Sequence, residues 1–456
     1  MFNFMWRYAY NLRGIYETPS LADHLSDRNL RREKINKMLD SARQHGRTIL
    51  TEVESKQVLS FAGIATVPTQ AAHTESEAEQ CADEIGFPVV LKVYSETITH
   101  KTDVGGVKLN LSNKDAVRAA YQAIRASVAE KADAAQFQGV TVQPMIGAEG
   151  YELILGSSID PQFGPVILFG SGGQLVEVYR DKALALPPLN STLAQRLMEQ
   201  TRIYKALQGA RGRAAIDLPS LECTLVRFSE LVLEQPRIKE IDINPLLASS
   251  DRILALDARI VLHGPETVAE QLPRPAIRPY PVEYISRWKI KDGTEVIIRP
   301  IRPEDEPLMI RFHESLSERS VFLRYFHMEN VNSRVAHDRL IQKCFIDYDR
   351  EMALVADHEY PTTGQHELLA VARLAKDLSR QEGEVAVLVA DAWQKQGLGT
   401  ELMRRLIQFA RAEKLRRVIA NILPENDSMR SLGDRLGFTI QMTNDPSVLM
   451  AVLELR

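Results

Sequence analysis

The chain has 456 residues, 45% hydrophobic and 25% charged, a composition that excludes wholesale disorder and, at roughly 150 residues per domain, implies two or three domains. Its 56 lysines and arginines against 60 acidic residues give a net charge of −4 and a pI near 6.3, so no basic excess exists to track a nucleic-acid backbone. No run approaches about 18 apolar residues, which excludes a membrane span, and the three scattered cysteines (Cys81, Cys223, Cys344) exclude a disulfide framework and fit the cytoplasm.

Residues 1–16 are aromatic-rich but broken by Arg7 and Arg13, unlike a secretory signal. Leu30, Ile35, Met38, Leu39 and Ala42 follow at helical spacing. We read 1–48 as the tail of an upstream domain; an adhesive arm or a poorly ordered terminus is the alternative. Prolines at 265, 273, 275, 279 and 281 mark an extended linker over 266–283. It separates one unit at 49–265 from another at 284–456.

In the first unit, GFPVVLKV (86–93) has the pattern of a buried strand interrupted by Lys92. An ammonium there costs desolvation unless it meets an anion. THKTDVGGV (99–107) brings His100, Lys101 and Thr102 up to Gly105 and Gly106, a basic glycine loop whose amides could fold over phosphates. VILFGSGGQLVEV (166–178) sets Gly172 and Gly173 between two strand patterns, and Leu175 in the third glycine position rejects a dinucleotide fingerprint. In IKEIDINPL (238–246), period-two alternation puts Glu240, Asp242 and Asn244 on one face and Ile241 and Ile243 on the other. A following strand, ILALDARI, adds Asp257 and Arg259. Oxygen donors and an arginine beside a phosphate loop suit Mg²⁺ with a nucleotide; a polar edge-strand face is the structural alternative.

These residues, in this order, resemble the ATP-grasp domain in the β half of NDP-forming acyl-CoA synthetases, with GYELILGSSIDPQFGPVILFGSGG and DKALALPPLN also family-like. The resemblance covers about 49–265. It implies that Lys92 binds ATP phosphate, that His100, Lys101, Gly105, Gly106, Gly172 and Gly173 line the ATP site, and that Asn244, Asp257 and Asp242 hold Mg²⁺. It also leads us to expect no acyl-CoA synthesis by this chain alone, because the family's CoA-binding and phosphohistidine domains have no counterpart in 1–48.

The second unit opens with the strand TEVIIRPIRP (294–303) and the helix start EDEPLMIRFHESL. Three strand patterns follow: REMALVAD, HELLAVARLA and GEVAVLVAD. Gln394, Gln396, Gly397, Leu398, Gly399 and Thr400 form a turn before a helix whose Leu402, Met403, Leu406, Ile407, Phe409 and Ala410 share an apolar face. A strand entering a QxxGxG turn and helix makes an anion site from unsatisfied amides and the macrodipole. No lysine follows the second glycine, so the pyrophosphate of coenzyme A fits better than a nucleotide; a glycine-rich helix cap is the bland reading. His313, His327 and His337 lack an HExxH spacing and are expected on helix surfaces.

This unit resembles the GNAT acyl-CoA N-acyltransferases over about 294–456, including PENDSMRSLGDRLGF, where Asn426 matches a residue that contacts CoA. Gly433 stands where many members carry a tyrosine acid. A CoA thiol has a pKa of about 8.5, so its thiolate can leave without that acid. The attacking amine must be neutral, which requires a base; Glu384, upstream of the turn and before an apolar stretch, is the candidate, and an exposed structural carboxylate is the alternative. Amides near Leu388 and Val389 could polarise the acyl carbonyl.

The expected fold is α/β (α+β), an ATP-grasp domain followed by a GNAT domain. The combination resembles the large bacterial Pat-type protein lysine acetyltransferases. It implies acetyl-CoA as cosubstrate, ATP and Mg²⁺ in the first unit, and protein acceptors with lysines, acyl-CoA synthetases among them, with no nucleic-acid or membrane partner. A homo-oligomer or a ligase-type partner chain stays open. So do two other functions: a β-type ligase subunit and a noncatalytic sensor.

Overall fold

The computed structural model describes residues 25–98, 101–147, 149–173, 181–209, 214–268, 271–377, 379 and 381–455. They divide into two compact units, one ending at Ile277 and one beginning at Arg278. Both are mixed α/β. Among the described residues, no helix is long and apolar enough to cross a membrane.

The first unit holds two sheets. The smaller has the order β1 (Gln70–Ala72), β4 (Gly139–Pro144), β2 (Val89–Tyr94), β3 (Val107–Leu111). Helices Glu75–Ile85 and Lys114–Lys131 cover it, and a core of Val89, Leu91, Val93, Ile124 and Val142 lies between. The larger runs β10 (Arg259–Leu262), β8 (Ile238–Ala248), β5 (Tyr151–Asp160), β6 (Gly164–Ser171), β7 (Lys182–Ala185), with β9 (Ile253–Ala255) also on β8. Its apolar face packs on helices Glu52–Phe61 and Leu218–Glu234, and Ile35, Leu39 and Ala42 of the helix Leu25–Gln44 enter the same core.

The alternation in β8 is realised: Ile241 and Ile243 are buried, while Asp242 and Asn244 are half-buried on the other face. The following strand differs from expectation. ILALDARI is two strands, because the ladder breaks after Leu256, whose amide still donates to the Pro245 carbonyl at 3.0 Å while Pro245 has no N–H to return the bond. Ala255 pairs with Leu246 and Arg259 with Asp242, so the register is continuous across the gap and Asp257 falls opposite Asn244. The cause is local: Asp257 Oδ1 accepts from its neighbour's amide, Ala258 N, at 2.9 Å, and the Leu256 carbonyl turns to Lys92 Nζ at 3.0 Å.

The second unit is one eight-stranded sheet: β11 (Ser286–Lys289), β12 (Glu295–Pro300), β13 (Glu351–Glu359), β14 (His366–Asp377), β15 (Glu382–Val389), β16 (Arg417–Ile422), β18 (Leu449–Glu454), β17 (Thr439–Met442). The six apolar residues expected on the helix Leu398–Ala412 are all buried against one face. Helices Glu306–Glu314, Glu318–Tyr325 and His337–Cys344 cover the other. His327 and His337 are exposed, but His313 is only 6% exposed, which corrects the expectation of a surface residue. One helical turn after buried Met309, it is carried inward on the same face.

Candidate functional site

In the first unit the decisive residue is one that sequence reasoning missed. Thr51 caps the helix Glu52–Phe61: its hydroxyl accepts from Glu54 N, and Glu54 Oε2 accepts from Thr51 N at 2.8 Å. This fixes Glu52 in the first turn, its side chain 2% exposed, within ion-pair distance of three lysines: Lys56 at 2.8 Å, Lys92 at 2.9 Å and Lys101 at 3.0 Å. Asp257 completes the cluster at 3.2 Å from Lys92 and 2.9 Å from Lys101. Although burial opposes ionisation, the three ammonium groups, Lys101 first, hold the Glu52 carboxyl well below the usual range. Burial pushes Lys56 down to about 8, and the flanking carboxylates raise Lys101 against its burial.

Lys101, Asp242, Asn244 and Asp257 line one pocket of about 250 Å³. Lys92 lies behind it, joined through Asp257. Asn244 Oδ1 accepts from Gly173 N at 2.9 Å, which ties the glycine cluster to this wall. The amide of Gly172 donates to the Glu152 carbonyl. The expectation of free amides at Gly105 and Gly106 is corrected: they donate inside their own turn, to the carbonyls of Thr102 and Lys101. Gly106 is required by packing, since a Cβ there would sit 2.6 Å from Val93 Cγ1 and 2.8 Å from the Lys101 carbonyl. His100 and the strand expected after Gly173 lie outside the described residues.

Mg²⁺ takes carboxylate, water and phosphate oxygens. Asp242, Asn244 and Asp257 offer that chemistry on one wall, so the residues fit the ion. Among the described residues no group of three or more His, Cys, Asp or Glu side chains is set to hold a metal by itself, and phosphate or water oxygens would complete the shell.

The second unit's site is a fork. β15 and β16 run parallel for three rungs only, Glu382 with Arg417, Gly383 with Val418 and Glu384 with Ile419. Beyond Glu384 they part, although β15 stays paired to β14 as far as Val389 and β16 to β18 as far as Ile422. Leu388 and Val389 therefore line an edge with no strand on one side, open to an extended ligand. At the end of this edge begins the helix Leu398–Ala412, where no side chain caps the first turn. Its leading amides have no intrahelical acceptors and face the macrodipole's positive end. Gly397 precedes it at φ +95°, and a Cβ there would press to 3.3 Å on the Trp288 ring. A Cβ on Gly399 would meet only ordinary contacts, 3.7 Å to Val389 and 3.9 Å to Leu432. Gln396 and Thr400 are half-buried in this turn.

Two expected CoA contacts have other partners. Gln394 Nε2 donates to Ser320 Oγ at 3.1 Å and to the Val389 carbonyl at 3.3 Å, bracing the turn against the helix Glu318–Tyr325. Asn426 caps the helix Asp427–Leu436 by accepting from Met429 N at 3.1 Å, which leaves its amide nitrogen for a ligand. Glu384 is exposed at the fork rather than enclosed by apolar groups, and Asn421 Nδ2 donates to its Oε1 at 3.1 Å. Gly433 is buried and offers no hydroxyl acid.

The ATP-grasp domain family matches residues 41–262 and the acetyltransferase (GNAT) domain family residues 295–439. The chain is 38% identical over 229 residues to the β subunit of ADP-forming acetate–CoA ligase I of Pyrococcus furiosus, covering 50% of this chain and 98% of that protein. It is 34% identical over 159 residues to an acetyltransferase of Pseudomonas aeruginosa, 35% of this chain and 82% of that one. A solved acetyl-coenzyme A synthetase of Ca. Korarchaeum cryptofilum aligns at 39% identity and a TM-score of 0.48 over 50% of this chain and 99% of that chain. The chain spans 37% and 30% of the length of two longer ADP-forming CoA ligases. The chain thus belongs to the ADP-forming acyl-CoA synthetase β-subunit family through its ATP-grasp unit and to the GNAT acetyltransferases through the unit that follows. Acetyl-CoA is the cosubstrate of GNAT domains, and ATP with Mg²⁺ the ligand of ATP-grasp domains.

Proposed function

We propose that the second unit moves acetyl from acetyl-CoA to lysine side chains of proteins, and that the chain acts as a Pat-type lysine acetyltransferase in the cytoplasm, with the first unit binding ATP and Mg²⁺ as a regulatory module. The observation that carries the reading is the fork: two strands that part at Glu384, beside an uncapped helix start. The pantetheine and acyl carbonyl would lie along the free edge at Leu388 and Val389, and the pyrophosphate would sit on the amides of Leu398, Gly399 and Thr400.

Glu384 would accept a proton from the lysine ammonium, directly or through water. The neutral amine would attack the thioester carbonyl, whose oxygen draws negative charge toward the strand amides. Collapse would expel the CoA thiolate, a leaving group good enough to do without an acid at Gly433. Asp242, Asn244 and Asp257 would hold Mg²⁺ in the first unit, and Lys101 and Lys92 would meet the phosphates. Incubating the chain with acetyl-CoA and acyl-CoA synthetases should release CoA in step with acetylated lysine peptides by mass spectrometry. CoA release without acetyl-lysine on any protein would overturn the lysine reading.

A second reading rests on the near-complete span of a ligase β subunit. Under it, the chain assembles with a CoA-binding partner chain, and ADP would form only when acetate, CoA and that partner are all present.

A further inference from the structure

On the sheet face opposite the helix Leu398–Ala412, Ala386 and Leu388 line a pocket of about 50 Å³. They follow Glu384 at two-residue spacing on the same strand, so the pocket and the candidate base share one face. Its other walls combine cations with apolar groups: Arg324, Arg334, Arg339, Arg373 and Lys343 line it with His313, beside apolar side chains such as Phe312 and Leu340.

The carboxylates paired in this wall are Glu329, on Arg339, and Glu351, on Arg373. Arg334 is 6% exposed; it donates through Nη1 to the His313 carbonyl at 3.0 Å, and its Nε has no hydrogen-bond partner among the described residues. The same holds for His313 Nδ1. Arg324 lies over the Tyr325 ring at 5.2 Å and feels Glu384 through space. The field is strong enough to act on its neighbours: burial first, and then these arginines, push His313 down to about 4 and lower Lys343. Positive charge thus exceeds what the paired carboxylates neutralise, and two buried polar nitrogens are left over. Unmatched buried charge and donors are costly, and a guanidinium fork matches a carboxylate. At roughly 10–15 Å³ of such volume per water, the space takes a few waters or one small anionic group.

We propose that this pocket is a carboxylate subsite of the transfer site, recognising an anionic group carried within one short side chain of the reacting carbonyl. The proposal rests on the acyl-transfer reading of the fork. The carboxylate has two sources of the same chemistry: the far end of a dicarboxylic acyl-CoA, or an acidic side chain next to the acceptor amine.

The test uses the full chain. Succinate should raise its melting temperature by a few degrees at constant ionic strength, succinamide should not, and Arg324→Gln should abolish the difference, with exposed Lys343→Gln as a second variant. Transfer is then compared for succinyl-CoA against acetyl-CoA, and for lysine peptides flanked by Asp against Asn. A preference of tenfold or more that falls toward parity in Arg324→Gln and recovers in Arg324→Lys supports the subsite, and the arm in which it appears names the source. No discrimination of succinate from succinamide, or a preference that survives both Gln variants, overturns it. Succinate binding with no transfer to any acceptor would instead support the subsite and sink the acyl-transfer reading.

Discussion

Asn421 holds Glu384 at the last rung before β15 and β16 part, Nδ2 to Oε1 at 3.1 Å. The amide takes one carboxylate oxygen, and the side chain is otherwise exposed. General-base assistance contributes roughly two orders of magnitude or more. Glu384→Gln should therefore lower kcat about a hundredfold at saturating substrate while acetyl-CoA affinity stays close to wild type. Asn421→Ala should cost less, since it removes only the carboxylate's hydrogen-bond partner. Equal turnover in Glu384→Gln and wild type would remove Glu384 from the mechanism.

Gly399→Val separates folding from ligand approach. A Cβ at this position meets only ordinary contacts, 3.7 Å to Val389 and 3.9 Å to Leu432, so the fold should survive, while the added γ-methyls should crowd the approach of a phosphate to the helix amides. Acetyl-CoA affinity should fall tenfold or more by calorimetric titration. Unchanged affinity would place the pyrophosphate elsewhere.

Asp257 and Asn244 face each other across the interrupted ladder, and Asp242 adjoins them in the same pocket. ATP should raise the melting temperature of the chain only when Mg²⁺ is present. The Asp257→Ala, Asn244→Ala double variant should lose that rise and keep acetyl transfer. A nucleotide shift that survives the double substitution would refute the metal assignment.

Glu52→Gln should destabilise the first unit by roughly 3–5 kcal/mol, the usual cost of removing one partner from a buried ion cluster, measured by urea denaturation with circular dichroism. The pH dependence has a definite sign. Because the folded carboxyl titrates below its unfolded value of about 4.3, its contribution is complete above that pH and disappears as the pH falls through the folded pKa. Wild type should lose stability more steeply than Glu52→Gln as the pH falls below about 4.

Lys92 was legible because an ammonium inside an apolar strand demands an anion, but the anion was not. Glu52 sits two residues before Glu54, the capping-box acid, and a carboxylate in a helix's first turn is ordinarily explained by the macrodipole alone. Only the packing of that helix against β2 and β4 shows three lysines converging on it. The glycine loop at 99–107 was legible as a loop; that its amides close on themselves follows from a backbone turn no spacing encodes. Gln394 belongs to the expected motif, yet its amide serves Ser320, a residue 74 positions earlier. The fork could be anticipated only from family order, because strand alternation says which face is buried and nothing about where two neighbours separate. His313 lacks any sequence signal of burial; one turn of helix carries it inward, against Phe312 and Arg334.

The lysine cluster around Glu52 and Asp257 has a thermodynamic consequence. The lysines proposed to meet phosphate already carry counter-anions, Glu52 and Asp257, so under the ATP reading nucleotide entry would be an ion exchange within the protein: the triphosphate would take over ammonium groups from Asp257, and the released carboxylate would become available to the accompanying cation. Exchange of one anion for another changes the local charge far less than recruitment to bare lysines would. Nucleotide binding at such a site would then depend only shallowly on ionic strength.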